Sequence, residues 1–96
     1  MKGIFISCNQ ALLDEVMTAM KEIGVRGYTS WEEVQGCGLE GEPHTGEAAW
    51  PTLNSALLVF TDDEKAVKLM EELKIIDQRS PKLGIRGFKW DVEGTF

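Results

Sequence analysis

Apolar residues fall in four short runs and two helically spaced sets along this chain of 96 residues. The first run, residues 2–8 (KGIFISC), is apolar at Ile4, Phe5 and Ile6 in succession. Apolar neighbours on both sides of a pleat mark a central strand covered on both faces. Asn9 offers an N-cap, and over 10–23 the residues Leu13, Val16, Met17, Met20 and Ile23 keep helical spacing. Asp14 and Glu15 near its start and Lys21 near its end suit the helix dipole, and Gly24 is a natural stop. Residues 26–34 (RGYTSWEEV) have the Tyr, Thr, Trp and Val content of a strand. Residues 53–60 predict another, apolar without a break from Ala56 to Phe60. Thr61-Asp62-Asp63-Glu64 fits a capping box, with Thr61 as the cap. The helix it opens carries Ala66, Val67, Met70, Leu73 and Ile76 on one face and ends near Ser80-Pro81. Residues 87–92 (GFKWDV) alternate Phe88, Trp90 and Val92 against Lys89 and Asp91, the pattern of a half-exposed strand.

The order strand, helix, strand, strand, helix, strand is the split βαβ, or ferredoxin-like, arrangement. It predicts an α+β domain over 1–96, a four-stranded antiparallel sheet with two helices on one face. The first and third strands are central in that topology, and they are also the two that lack polar alternation. Two helices cover one face only, so apolar residues on the other predict burial against copies of the same chain in a closed cyclic oligomer. The alternative is shielding of that face by the long connection between the second and third strands.

That connection, within residues 34–54 (VQGCGLEGEPHTGEAAWPTLN), is Gly-rich, acidic and longer than a compact domain ordinarily carries without a function. Between Arg26 and Lys65 there is no Lys or Arg, and eight acids occupy the span. From Lys65 onward seven basic residues face five acids. The connection repels anions and the approach to the last strand attracts them; a solvated, solubilising loop is the plainer reading. A net charge of −6 argues against nucleic acid or an anionic membrane as the main partner. The RNA-binding use of this fold also needs an aromatic-rich central strand, which ALLVF is not. Cys8 and Cys37 make no disulfide framework, and no leader-like or long apolar run occurs, so a cytoplasmic protein without membrane insertion is expected.

Three chemistries compete for the remaining residues. Gly36, Cys37 and Gly38 with Lys82, Gly84, Arg86 and Gly87 could form a phosphate or carboxylate site, since glycines let backbone approach an anion and Arg grips it in bidentate fashion. Cys37, His44 and loop glutamates are suitable metal ligands, but no CxxC or HxxxH spacing is present and one histidine would need a site shared between chains. Catalysis has the least support: neither cysteine has a second histidine to choose from, and no paired-carboxylate motif stands out.

The segment KGIFISCNQALLDEVMTAMKEIGVRGYT resembles the opening of the PII signalling family, with GVRGYT in place of its G(I/V)xGxT turn. VQGCG resembles the family's VxGxG at the base of its long T-loop, and ALLVFTDDEKAVKLMEEL its third strand, acidic turn and second helix. WDV resembles the end of its fourth strand, and the Trp-Pro-x-x-Asn element of the loop resembles a short-loop PII-like branch. The likeness spans nearly the whole chain. It implies a homotrimer with ligand sites in the clefts between subunits and a T-loop, here about 36–52, that controls a partner protein such as a membrane transporter or an enzyme. It implies a site for ATP, ADP or AMP using Thr29, Gly36, Cys37 and Gly38, with Lys82, Gly84, Arg86 and Gly87 before and in the last strand. The chain also departs from the family. Its loop has no tyrosine for uridylylation, SPKLGIRG replaces TGxxGDGK, and the arginine-bearing tail does not follow WDV. Leu39 and Glu40 stand near where the 2-oxoglutarate-supporting Gln would fall.

These readings converge on a non-catalytic PII-like sensor whose loop meets a partner through Glu40, Glu42, His44, Glu47 and Trp50. The alternative is a metal-binding or metal-tolerance-linked (CutA-like) protein of the same architecture, using Cys37 and His44.

Overall fold

The computed structural model describes residues 1–36 and 52–96. Strand β1 (Lys2–Asn9) leads through a 3-10 turn (Gln10–Leu12) into helix α1 (Leu13–Ile23), followed by β2 (Tyr28–Gly36). Strand β3 (Thr52–Thr61), helix α2 (Asp63–Arg79) and β4 (Ile85–Asp91) complete the described elements. The strands form one antiparallel sheet in the order β2-β3-β1-β4, so β1 and β3 are central, as their unbroken apolar runs require.

The core lies between the helices and one face of the sheet. Ile4, Ile6 and Cys8 of β1 and Leu57 and Val59 of β3 stand on that face, fully or almost fully buried. Leu12, Val16 and Met20 cover them from the α1 side, and Ala66, Leu69, Leu73 and Ile76 from α2. Burying each such large aliphatic side chain contributes about 1.5–3 kcal/mol.

Helix and strand ends differ from the sequence pattern by a few residues, each for a local reason. Asn9 caps as expected, its side chain accepting from the Ala11 amide at 2.9 Å, but the first turn it opens is 3-10. Gly24, at φ 95°, ends α1 in the left-handed conformation that glycine tolerates; its amide donates to the Met20 and Lys21 carbonyls. The cap of α2 is Asp62 and not Thr61. Thr61 is still strand, opposite Lys2, while the extended Asp62 accepts from the Lys65 amide at 2.8 Å. Strand β4 begins at Ile85, two residues earlier than alternation indicates, because Ile85 pairs with Cys8 and packs in the core. Strand β2 begins at Tyr28, after Val25 has turned inward to the core.

Candidate functional site

The sheet's second face follows from the alternation of β1 and β3. With Ile4 and Ile6 turned to the helices, Gly3, Phe5 and Ser7 face the other way. Three cross-strand rows cross this open face: Arg86–Ser7–Ala56–Trp31, Phe88–Phe5–Leu58–Thr29 and Trp90–Gly3–Phe60. Its aromatics remain in contact with solvent: Phe5 is 37% exposed, Phe60 40%, Trp90 42%, Trp31 45% and Phe88 57%. The Trp90 indole lies flat over Gly3, where a Cβ would stand only 2.5 Å from the ring. Phe60 meets the indole edge-on, with centroids 6.4 Å apart and planes at 87°. Such an edge-to-face pair adds about 0.5–1.5 kcal/mol beyond its buried area. The result is an ordered aromatic plate without a cover among the described residues.

The expected ligand residues divide between the two edges of this sheet. Thr29, exposed, and Gly36, half-buried, belong to edge strand β2. Arg86 and Gly87 belong to the opposite edge strand, β4, with Lys82 and Gly84 in the turn before it. Three interstrand spacings, roughly 14 Å at about 4.8 Å each, separate the edges. One chain therefore brings Lys82, Gly84 and Arg86 to one end and keeps Thr29 away from them. Cys37, Gly38, Glu40, Glu42, His44, Glu47 and Trp50 lie outside the described residues.

The glycines differ in what they leave room for. A Cβ on Gly87 would come 2.8 Å from Leu73 Cδ1 and 3.4 Å from the Met70 sulfur, so close packing of α2 on β4 alone accounts for this position. A Cβ on Gly36 would meet the Asn54 side-chain amide at 2.7 Å. A Cβ on Gly84 would meet nothing within 4 Å, and the Gly84 carbonyl accepts from the Asn9 amide at 2.8 Å. Of these three, only Gly84 is left with open space on its backbone, next to Lys82 and Arg86.

A feature the sequence pattern missed aims the end of β2. Trp31 pairs with Ala56 and Val34 with Asn54, so three steps on β2 match two on β3, a β-bulge. The Glu32 carbonyl inside the bulge accepts from the Ser55 hydroxyl at 2.6 Å and from the Gln10 side-chain amide at 3.2 Å. Ser55 is fully buried, and the bond supplies its hydroxyl with a partner. By adding one residue the bulge puts Val34 and Gly36 on the open-face side of β2, opposite Asn54 and Thr52. The sequence signals it only by a serine placed directly before the apolar run Ala56–Phe60.

Two titrating features lie elsewhere. Burial pushes the Cys8 thiol up to about 11, so it is protonated and unreactive at neutral pH. Lys2, at the start of β1, pairs with Asp91 at the end of β4; the hydrogen bond raises the lysine pKa and lowers that of the carboxyl. Among the described residues no three His, Cys, Asp or Glu side chains are grouped to hold a metal ion, and no helix is long and apolar enough to cross a membrane.

The family model described as nitrogen regulatory protein P-II matches residues 1–86. The chain belongs to the P-II family. Among curated proteins none matches the sequence. A PII-like signalling protein from Thermus thermophilus superposes with a TM-score of 0.67 at 21% identity, over 95% of this chain and 85% of that one. CPII from Thiomonas intermedia, in a structure bound to ADP and bicarbonate, gives 0.66 at 18% identity, over 95% of this chain and 86% of its own. A second CPII structure, bound to ADP, AMP and bicarbonate, gives 0.67 at 16% identity, over 99% and 94%. At these identities the structural likeness establishes the P-II fold, in agreement with the ferredoxin-like arrangement expected from the strand and helix order.

Proposed function

We propose that this P-II chain is a homotrimeric, non-catalytic sensor of a small anionic ligand, bound where the β2 edge of one subunit meets the β4 edge of the next. The observation that carries this reading is the separation of Thr29 and Gly36 from Lys82, Gly84 and Arg86 on a sheet whose open face is aromatic. A neighbouring copy packed on that face covers Phe5, Phe60, Phe88 and Trp90 and supplies the missing half of each site. An isologous pair would close after two copies, whereas joining unlike edges head to tail gives a ring.

Adenine nucleotides, ADP and AMP in first place, are the ligands we favour, together with bicarbonate, because CPII binds them and the Lys82–Arg86 segment suits phosphates. Thr29 would hydrogen-bond the nucleoside part from the opposite subunit, and the backbone at Gly36, Cys37 and Gly38 would line the site where the loop begins. Arg86 would grip a phosphate and Lys82 would add charge, with the Gly84 backbone open to the anion. Gly87 would serve packing and leave the ligand to its neighbours. The loop over 39–51, with Glu40, Glu42, His44, Glu47 and Trp50, would then report occupancy to a partner protein.

The test is a thermal-shift series with ATP, ADP, AMP and bicarbonate, alongside the mass in solution. A ligand that binds only the native state raises the melting temperature. The expected result is a particle of three 10.7-kDa chains, stabilised by ADP or AMP. Arg86→Ala should weaken the nucleotide roughly tenfold to a hundredfold, the cost of a lost charge-assisted bond. A monomer, or a trimer indifferent to every nucleotide and to bicarbonate, would overturn the reading.

A further inference from the structure

The turn that leaves α1 and opens β2 holds a cleft of about 470 Å³, within the size range of small-molecule sites. It lies on the helix side of the sheet. Tyr28, which lines it, pairs with core-facing Val59, while Thr29 pairs with Leu58 and belongs to the opposite side. The cleft is therefore separate from the open aromatic face and from the nucleotide half-sites, and it does not rest on that reading.

Its composition is specific. Half-buried Met17 forms an apolar floor, backed by Met20 and Val25 of the core. Lys21 and Arg26 stand exposed at the rim, and neither forms an ion pair with a described residue. No carboxylate lines the cleft among the described residues, in a chain whose net charge is −6. The Lys65 ammonium comes 3.7 Å from where a Gly24 Cβ would stand, but its charge is taken up by Asp62 at 3.8 Å, which leaves Lys21 and Arg26 as the cations of the rim. The carbonyls at the end of α1 would repel an anion, but those of Met20 and Lys21 accept from the Gly24 and Val25 amides at 2.9–3.2 Å. That capped turn also fixes the wall. Tyr28 and Thr18 supply a ring and a hydroxyl to orient a bound molecule.

We propose that this cleft binds a small organic anion with an apolar body, its carboxylate or phosphate between Lys21 and Arg26 and its body on Met17 and the Tyr28 ring. Methionine suits such a floor, being unbranched and adaptable in shape. Neither half of the ligand suffices: the rim offers charge without enclosure and the floor offers burial without direction.

The experiment is a titration of the ¹⁵N-labelled full chain, followed by amide shifts, with four probes: octanoate, 1-naphthyl phosphate, inorganic phosphate and octanol. Octanoate and 1-naphthyl phosphate should shift the amides of Thr18, Lys21, Gly24, Val25 and Arg26, saturating at one molecule per chain. Inorganic phosphate and octanol should each bind at least about tenfold more weakly. If only one of the two amphiphilic anions saturates, that headgroup is the one the site takes. Lys21→Gln, at an exposed position, should weaken binding about tenfold with the fold intact. Met17→Trp should abolish binding by filling the floor. Shifts confined to Phe88 and Trp90 of the open face, equal binding of inorganic phosphate, or an unaltered affinity in Lys21→Gln would overturn the proposal.

Discussion

Asp62 shows how much a single side chain decides at a helix end. Its carboxylate accepts from the Lys65 amide, and Lys65 returns an ion pair at 3.8 Å. Asp62→Ala should destabilise the protein by about 1 kcal/mol, lowering the melting temperature by roughly 4–8 °C. Thr61→Ala should move it far less, and equal effects in a calorimetric comparison would contradict the assignment. The capping box read from TDDE puts the cap at Thr61, one residue before the Asp62 that caps the helix. The choice was made by β1, whose Lys2 pairs with Thr61 and keeps it in the sheet. Cys8 makes a second prediction at this scale. In a Cys37→Ser chain, Ellman's reagent should find no reactive thiol at pH 8 until denaturant is added, since burial holds Cys8 up at about 11. Immediate reaction would mean that β1 opens under native conditions.

The elements were largely legible because each follows from a local period: helical spacing from Leu13 to Ile23, an unbroken apolar run at Ala56–Phe60, alternation at Phe88 and Trp90. What escaped was non-local. The bulge in β2 depends on Ser55 in β3 and Gln10 before α1, residues 23 and 22 positions away from Glu32. Ser55→Ala leaves the Glu32 carbonyl with one donor and should cost about 1 kcal/mol. Hydrogen exchange should reveal its local character, with the amides of Val34 and Gly36 exchanging faster and those of β1 unchanged. Uniform loosening would show that the bulge has no separate role. The candidate site was half legible in the same sense. Its residue types could be read along the chain, but their division between two edges appears only once the strands are ordered β2-β3-β1-β4.

For the molecule as a whole, the open face is the surface proposed for assembly, and the Lys2–Asp91 pair governs part of the pH response. Asp91 titrates below its usual 3.8 in the folded chain, so its contribution is present at neutral pH and fades as pH falls through that lowered value. Lys2 titrates above its usual 10.5, and its contribution is lost only as pH rises through the raised value. Asp91→Asn should therefore narrow the gap in melting temperature between pH 7 and pH 3; an unchanged gap would mean that the pair is inert. Gly3→Val places a side chain where the Trp90 indole now lies. It should lift the indole off the sheet and shift the mass in solution toward the single chain, whereas an intact trimer would show that the aromatic plate is not the contact. The division of Thr29 and Arg86 between opposite edges also has a genetic consequence. In the proposed trimer, chains carrying Thr29→Ala and chains carrying Arg86→Ala would each be defective at every site of their own rings. Mixed in one ring, they meet with both intact edges at one junction, so two inactive variants expressed together would restore binding at one site in each mixed trimer.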